Sequence, residues 1–231
     1  MHPATRAAIF RRLRAANPSP TTELEYQTPF ELLVAVMLSA HTTDRSVNAA
    51  TRVLFPRANT PQAIAALGIE GVKPYIRPVG LYNTKSKNLI NLCQQLLERH
   101  GGQVPAERGL LEALPGVGRK TASIILNMVF DQLEIGVDTH IFRVANRTGL
   151  APGRTPREVE TALTAYTPRA YRKDAHHWLL LHGRYVCTAR RPDCPRCIIR
   201  DLCEYPAKTP PAPARPRGFR PGTRAGRRRQ R

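Results

Sequence analysis

The 231-residue chain carries 36 Lys plus Arg against 17 Asp plus Glu, a formal charge of +19 and a sequence pI near 10.8. That balance disfavours cationic partners and points to a polyanion, nucleic acid first. Its 42% apolar content suffices for one sizeable core or two smaller cores sharing an interface, and no run of 18 apolar residues exists, so a spanning helix is excluded and a soluble protein is expected.

The first twenty residues hold Arg6, Arg11, Arg12 and Arg14 with no acid before Glu23. This superficially fits an Arg-rich transit peptide but lacks the serine enrichment of one. Pro29 to Leu38 is apolar almost all round, as expected of a helix buried on every side. Between Thr84 and His100, Leu89, Leu92, Cys93, Leu96 and Leu97 make a helical stripe in which Cys93 reads as packing. No period-two run of β-branched residues appears, while Pro and Gly punctuate the chain at short intervals, so an all-α fold of many short helices is expected.

Leu114, Pro115, Gly116, Val117, Gly118 and Arg119 form a hairpin ahead of the helical pattern Thr121 to Phe130. Two glycines let backbone amides approach a phosphate, and the next helix's N-terminus supplies free N–H groups and partial positive charge. A bare G-x-G is more often a plain tight turn; the following Arg-Lys and the basic body favour DNA contact. Lys120 falls in that helix's first turn, where the dipole disfavours a cation, and placement against local preference suggests function. A desolvated lysine there supplies the neutral amine that attacks a sugar C1′ and forms a Schiff base; the plainer reading is a phosphate point charge. Asp138 opens the helix of Val137 to Val144 and suits an N-cap, accepting from the amides of residues 140 and 141. Near Lys120 it could also stabilise a cationic sugar and assist proton transfer. Desolvation and the dipole favour the neutral amine, a nearby carboxylate the ammonium, and the sequence leaves that balance open.

Cys187, Cys194, Cys197 and Cys203 are separated by six, two and five residues, a spacing that lets four thiolates converge on one metal centre. Zinc usually takes two C-x-x-C pairs and this run has one, so an iron–sulfur cluster is at least as plausible and the spacing leaves the metal open. Arg184, Arg190, Arg191, Arg196 and Arg200 surround the cysteines, either to meet DNA phosphates or as a solvated surface. From Pro206 to Arg231, nine basic residues, six prolines and three glycines leave little to bury, so a disordered basic tail is expected, and the body keeps +10 without it.

Hairpin, aspartate and cysteine run in this order resemble the endonuclease III family of the helix-hairpin-helix superfamily, bifunctional DNA glycosylases and apurinic/apyrimidinic lyases. Collinear stretches extend the resemblance over about Arg6 to Tyr205: Pro29-Phe30-Glu31-Leu32-Leu33, Val79-Gly80-Leu81-Tyr82-Asn83, Leu114 to Ala122, Val137 to Val144, His176-His177-Trp178-Leu179 and Leu181 to Tyr185. The resemblance implies Lys120 as Schiff-base nucleophile, Asp138 as acidic partner, and Cys187, Cys194, Cys197 and Cys203 as ligands of a 4Fe-4S cluster. It implies two helical domains flanking a DNA cleft: a barrel over 22–132 holding the hairpin, and a cluster domain made of the N-terminal helix, 1–21, plus 133–205, with the tail at 206–231. It removes most of the weight from the transit-peptide reading. Leu81 matches the family's wedge, which fills the gap left by an extruded base. The family's second gap-filling position, usually glutamine, is His41 here, which puts the opposite-base preference in doubt. The implied partner is double-stranded DNA with damaged bases or abasic sites, met by a cytoplasmic bacterial monomer with no membrane attachment.

Two rivals are separable on residues. An adenine-mismatch glycosylase shares the cysteine run but lacks the lysine and carries a glutamate where Ala35 stands before Val36-Met37-Leu38; the 28 residues after Cys203 also leave no room for its C-terminal recognition domain. A non-catalytic DNA-binding protein would not need both Lys120 and Asp138.

Overall fold

The computed structural model describes residues 1–211, which form ten α-helices and one 3₁₀ turn, with no strand among the described residues. The helices are α1 (Pro3–Ala16), α2 (Pro29–Leu38), α3 (Asp44–Leu54), α4 (Pro61–Ile76), α5 (Tyr82–His100), α6 (Arg108–Glu112), α7 (Arg119–Phe130), α8 (Thr139–Thr148), α9 (Pro156–Tyr166) and α10 (Arg169–Tyr185). The all-α expectation is borne out. The basic tail expected from residue 206 lies outside the described residues from 212 onward.

Local signals explain most boundaries. Thr28-Pro29, Thr60-Pro61 and Thr155-Pro156 each place a capping hydroxyl before a proline whose missing N–H costs nothing at the first helical position. Each threonine accepts from the amide three residues on. At α2 the bond is returned, because the buried Glu31 carboxylate accepts from the Gln27 amide at 2.6 Å and from Asn59 at 3.2 Å. The helix inferred from Thr84 starts two residues earlier, at Tyr82, because Leu81 adopts a left-handed conformation (φ 60°) that breaks the chain direction just before it. α4 is interrupted at Gly68, whose φ of 65° leaves the helical region.

Two apolar cores result. The first gathers α2, buried along nearly its whole length, with the inner faces of α3, α4, α5 and α7. The second gathers Ile9, Phe10 and Leu13 of α1 with α8, α9 and α10. The N-terminal helix thus packs against helices more than 120 residues later in the chain. Phe10 stacks on Tyr171 at 5.8 Å, Tyr171 meets Trp178 edge-on at 6.1 Å, and the Trp178 indole donates to the Asn17 carbonyl at 2.8 Å, ending α1 against α10. Truncating a ring in this cluster costs about 3–5 kcal/mol.

Polar contacts join the cores where hydrophobic contact thins out. Glu160 on α9 accepts from Arg119 at 2.6 Å and from Ser123 at 3.3 Å. Arg108 bridges to Glu134 at 2.7 Å. On the other side Arg184 of α10 reaches Asp44 at 2.7 Å and also pairs with Glu23. These pairs bridge the two cores across the cleft between them.

Candidate active site

Lys120 and Asp138 face each other in this cleft, with Nζ 3.9 Å from Oδ2. The eighteen-residue separation closes because the connection after α7 doubles back along that helix. Gly136 makes the return possible: a side chain there would lie 3.0 Å from the Lys120 carbonyl and 3.3 Å from Ser123 and Ile124. Asp138 then divides its oxygens. Oδ1 accepts from the Ile141 amide at 2.8 Å and caps α8, while Oδ2 turns to the lysine. The capping bond uses the amide of residue 141, one of the two expected. The Asp138 side chain is 13% exposed and that of Lys120 41%, so the lysine is less desolvated than the sequence suggested.

The recess holding this pair takes its walls from both cores: Leu24, Val36 and Ile124 on one side, His176, His177 and Leu180 on the other. Burial, with smaller help from neighbouring charges, pushes His176 down to about 3, and burial pushes His177 down to about 4. Both are neutral at physiological pH and add no positive charge beside Lys120. The His176 Nδ1–H donates to the Gly136 carbonyl at 2.7 Å, a tautomer assigned from that bond, and so steadies the segment that carries Asp138. The histidine pair is plain in the sequence but its place at the site is not, since adjacent residues on a helix ordinarily diverge. Glu160 and Arg184 were equally invisible in these roles, because their partners lie 41 and 140 residues away.

The hairpin between α6 and α7 divides its residues between core and surface. Leu114 and Val117 are buried, and the Val117 amide closes the turn on the Leu114 carbonyl at 3.0 Å. Gly116 takes φ 80°, and a Cβ there would meet Asn88 at 3.1 Å and Met37 at 3.2 Å. Among the described residues the Gly116 and Gly118 amides find no acceptor, and the first-turn amides of α7 have none within the helix. Pro115 and the glycines edge a surface of outward N–H groups. Arg119 is exposed, but its Nε is held by Glu160. His41 and Leu81 are both exposed and both left-handed (φ 54° and 60°). Leu81 is 65% exposed, unusual for a leucine held in a strained conformation.

The four cysteines of 187–203 line one recess together with Arg147, His182 and Lys208. Among the described residues no three His, Cys, Asp or Glu side chains close on a point as a single ion requires. Four thiols that line one recess without three of them closing on a single point fit a multi-atom cluster better than a single zinc ion. Burial is the main cause that pushes the Cys197 thiol up to about 11 and also raises Cys203, so taking up metal releases protons here. Arg147 donates to the Thr188 carbonyl at 2.7 Å and approaches the Cys187 sulfur at 3.7 Å, and the Tyr205 amide points at the Cys203 sulfur at 3.4 Å. Of the surrounding arginines, Arg184 spans the cleft and Arg196 pairs with Asp193, while Arg190, Arg191 and Arg200 are exposed.

An all-helical protein with a helix-hairpin-helix beside a lysine–aspartate cleft, and a separate four-cysteine site, belongs to the class that handles bases in duplex DNA. The family model described as HhH-GPD superfamily base excision DNA repair protein matches residues 34–169, and that of the iron-sulfur binding domain of endonuclease III matches 187–203. Endonuclease III of Escherichia coli (strain K12) is 58% identical over 208 residues, 90% of this chain and 99% of that protein; the Haemophilus influenzae endonuclease III is 56% identical over the same shares. The structure of a trapped endonuclease III–DNA covalent intermediate superposes with a TM-score of 0.84 at 37% identity, covering 88% of this chain and 96% of that one. The chain belongs to the endonuclease III family of the HhH-GPD superfamily of base excision DNA repair proteins. Its activity class is that of DNA glycosylase and apurinic/apyrimidinic lyase, and its cofactor is a 4Fe-4S cluster.

Proposed function

We propose that Lys120 is the nucleophile and Asp138 its acidic partner in excising oxidised pyrimidines from duplex DNA and cutting the strand 3′ to the vacated sugar. The observation that carries this is the Lys120–Asp138 approach of 3.9 Å at the floor of a cleft built from both cores. The neutral amine attacks C1′ as the N-glycosidic bond breaks and its electron pair leaves with the base. The adjacent carboxylate offsets the positive charge on the sugar and accepts the proton the nitrogen sheds. Ring opening gives an imine between Lys120 and C1′. Loss of a C2′ proton then expels the 3′ phosphate as the C3′–O bond breaks, and water hydrolyses the imine to free the lysine. The base reaches this floor only after extrusion, with His41 and Leu81 placed to fill its space.

The hairpin amides at Gly116 and Gly118 seat a backbone phosphate, with Pro115 shaping the turn and Leu114 and Val117 anchoring it from below. Arg119 acts beside the phosphate while Glu160 fixes its guanidinium. Cys187, Cys194, Cys197 and Cys203 would hold the cluster, which would organise the 187–203 loop beside Arg147 of α8 and His182 of α10. We further infer a barrel body at 22–132, a cluster body of 1–21 with 133–205, and a monomer acting on DNA in the bacterial cytoplasm. The trapped DNA complex among the structural relatives and their bacterial sources support this reading. Single-turnover reaction with a duplex containing one oxidised pyrimidine tests it: base release and strand cleavage should proceed together without added alkali. Base release alone would favour a monofunctional glycosylase.

A further inference from the structure

Lys85 has no role in the steps above, yet it is the described lysine most withdrawn from water. It is 5% exposed on α5, and among the described residues no carboxylate pairs with it. Its ammonium donates to the Leu38 carbonyl at 2.8 Å, the Ala40 carbonyl at 2.5 Å and the Thr42 hydroxyl at 3.0 Å. Three donors thus meet three acceptors, one at the last residue of α2 and two in the loop after it that carries His41. The Lys85 main-chain amide meanwhile donates to the Leu81 carbonyl at 3.0 Å, the first bond of α5. The two loops also touch directly: a Cβ on Gly80 would stand 3.5 Å from both the His41 carbonyl and the Thr42 hydroxyl. Of the three non-glycine residues with positive φ among the described residues, two are His41 and Leu81, one in each loop.

A buried lysine could simply cap the end of α2. That role explains the bonds to Leu38 and Ala40 but not the reach past His41 to Thr42. Capping is also ordinarily done by glycine or water, without taking a cation out of solvent. The expenditure is intelligible if the loop must stay rigid against a load. Extruding a base supplies one, since a wedge that yields cannot hold a stack open.

Resting on the reading that His41 and Leu81 fill the extruded base's place, we propose that Lys85 is a positioning residue that locks their two loops into a single rigid wedge. It touches neither DNA nor the reacting atoms. Removing it loosens extrusion while leaving the lysine–aspartate chemistry in place, so damage embedded in a duplex suffers more than a sugar that needs no extrusion.

The test compares intact holoprotein with Lys85→Met and Thr42→Val on two substrates, an oxidised pyrimidine in duplex DNA and an abasic site in single-stranded DNA. Lys85→Met should lose about ten- to a hundredfold in single-turnover rate on the duplex, as misplacement of a positioned group does, with single-strand cleavage near the parent rate. Thr42→Val, which removes one outer acceptor and spares the buried ones, should shift the ratio of the two rates in the same direction by less. Should Lys85→Met fail to fold, the Thr42→Val ratio decides. Equal losses on both substrates, or an unchanged ratio in Thr42→Val, overturn the proposal while parent activity stands. A parent protein that cleaves neither substrate would overturn the reading of the reaction itself and this proposal with it.

Discussion

Asp138 offers a clean separation of structure from chemistry, because its two oxygens do different work. Replacing it by Ala removes both the bond to the Ile141 amide and the charge facing Lys120. Replacing it by Asn removes only the charge, since an Asn carbonyl caps a helix about as well as a carboxylate. Loss of the cap costs about 1 kcal/mol, which for a protein of this size lowers the melting midpoint by roughly 2–4 °C. The ion pair adds little to stability: Lys120 is 41% exposed, so solvent reduces its Coulomb gain to about 1 kcal/mol or less. Asp138→Asn should therefore melt within about 2 °C of the parent, and Asp138→Ala a few degrees lower. In single-turnover base excision both should fall by about a hundredfold or more, the scale of a lost acid–base group. Paired calorimetry and rapid-quench measurements read both quantities on the same preparations. An Asn variant that keeps the parent rate would refute the catalytic assignment, and an Ala variant as stable as Asn would refute the capping.

Three further outcomes follow from the same geometry. Purified protein should be brown and carry about four iron atoms per chain, and Cys197→Ser should lose both colour and stability; stoichiometric zinc in a colourless, folded sample would overturn the cluster. Because His176 and His177 are held neutral near 3 and 4 against an ordinary 6.5, the unfolded chain binds protons that the folded one does not. Their contribution is intact above pH 6.5 and is lost as pH falls toward 4, by at most about 3 kcal/mol for His177, so denaturation midpoints should decline across that window and decline less in His177→Gln. Parallel curves for parent and variant would contradict this. Truncation after Pro211 removes eight arginines while sparing Lys208 at the cluster cavity, and should weaken DNA binding and flatten its dependence on salt. An unchanged slope would show that the tail does not meet phosphate.

What the sequence made legible was what is written locally. The all-apolar Pro29 to Leu38 and the Gly-x-Gly hairpin are short-range patterns, and each became the element its chemistry demands. The four cysteines were legible as a metal site by spacing, while the choice between one ion and a cluster came from the family resemblance and the matching iron-sulfur domain over 187–203. What stayed hidden depends on contacts between distant segments. Nothing marks Lys85 as different from Lys87 in sequence, yet one is buried under three acceptors and the other is exposed. Glu160 looks like any acid on a surface helix until α9 brings it against Arg119 and Ser123. Gly136 shows its purpose only once α7 lies 3.0 Å from its missing side chain. The left-handed conformation of Leu81 could not be foreseen either, because leucine rarely adopts it and the surrounding fold imposes it; histidine enters that region more readily, but nothing in the local sequence singles out His41.

The central claim is that Lys120 bonds covalently to the sugar, and borohydride trapping addresses it most directly, since reduction makes a transient imine permanent. Parent protein mixed with duplex DNA containing an abasic site and borohydride should give a covalent protein–DNA complex, and Lys120→Ala, with its cluster and melting behaviour intact, should give none. A complex that persists in Lys120→Ala would move the nucleophile to another amine, and no complex from folded parent protein would contradict the lyase mechanism.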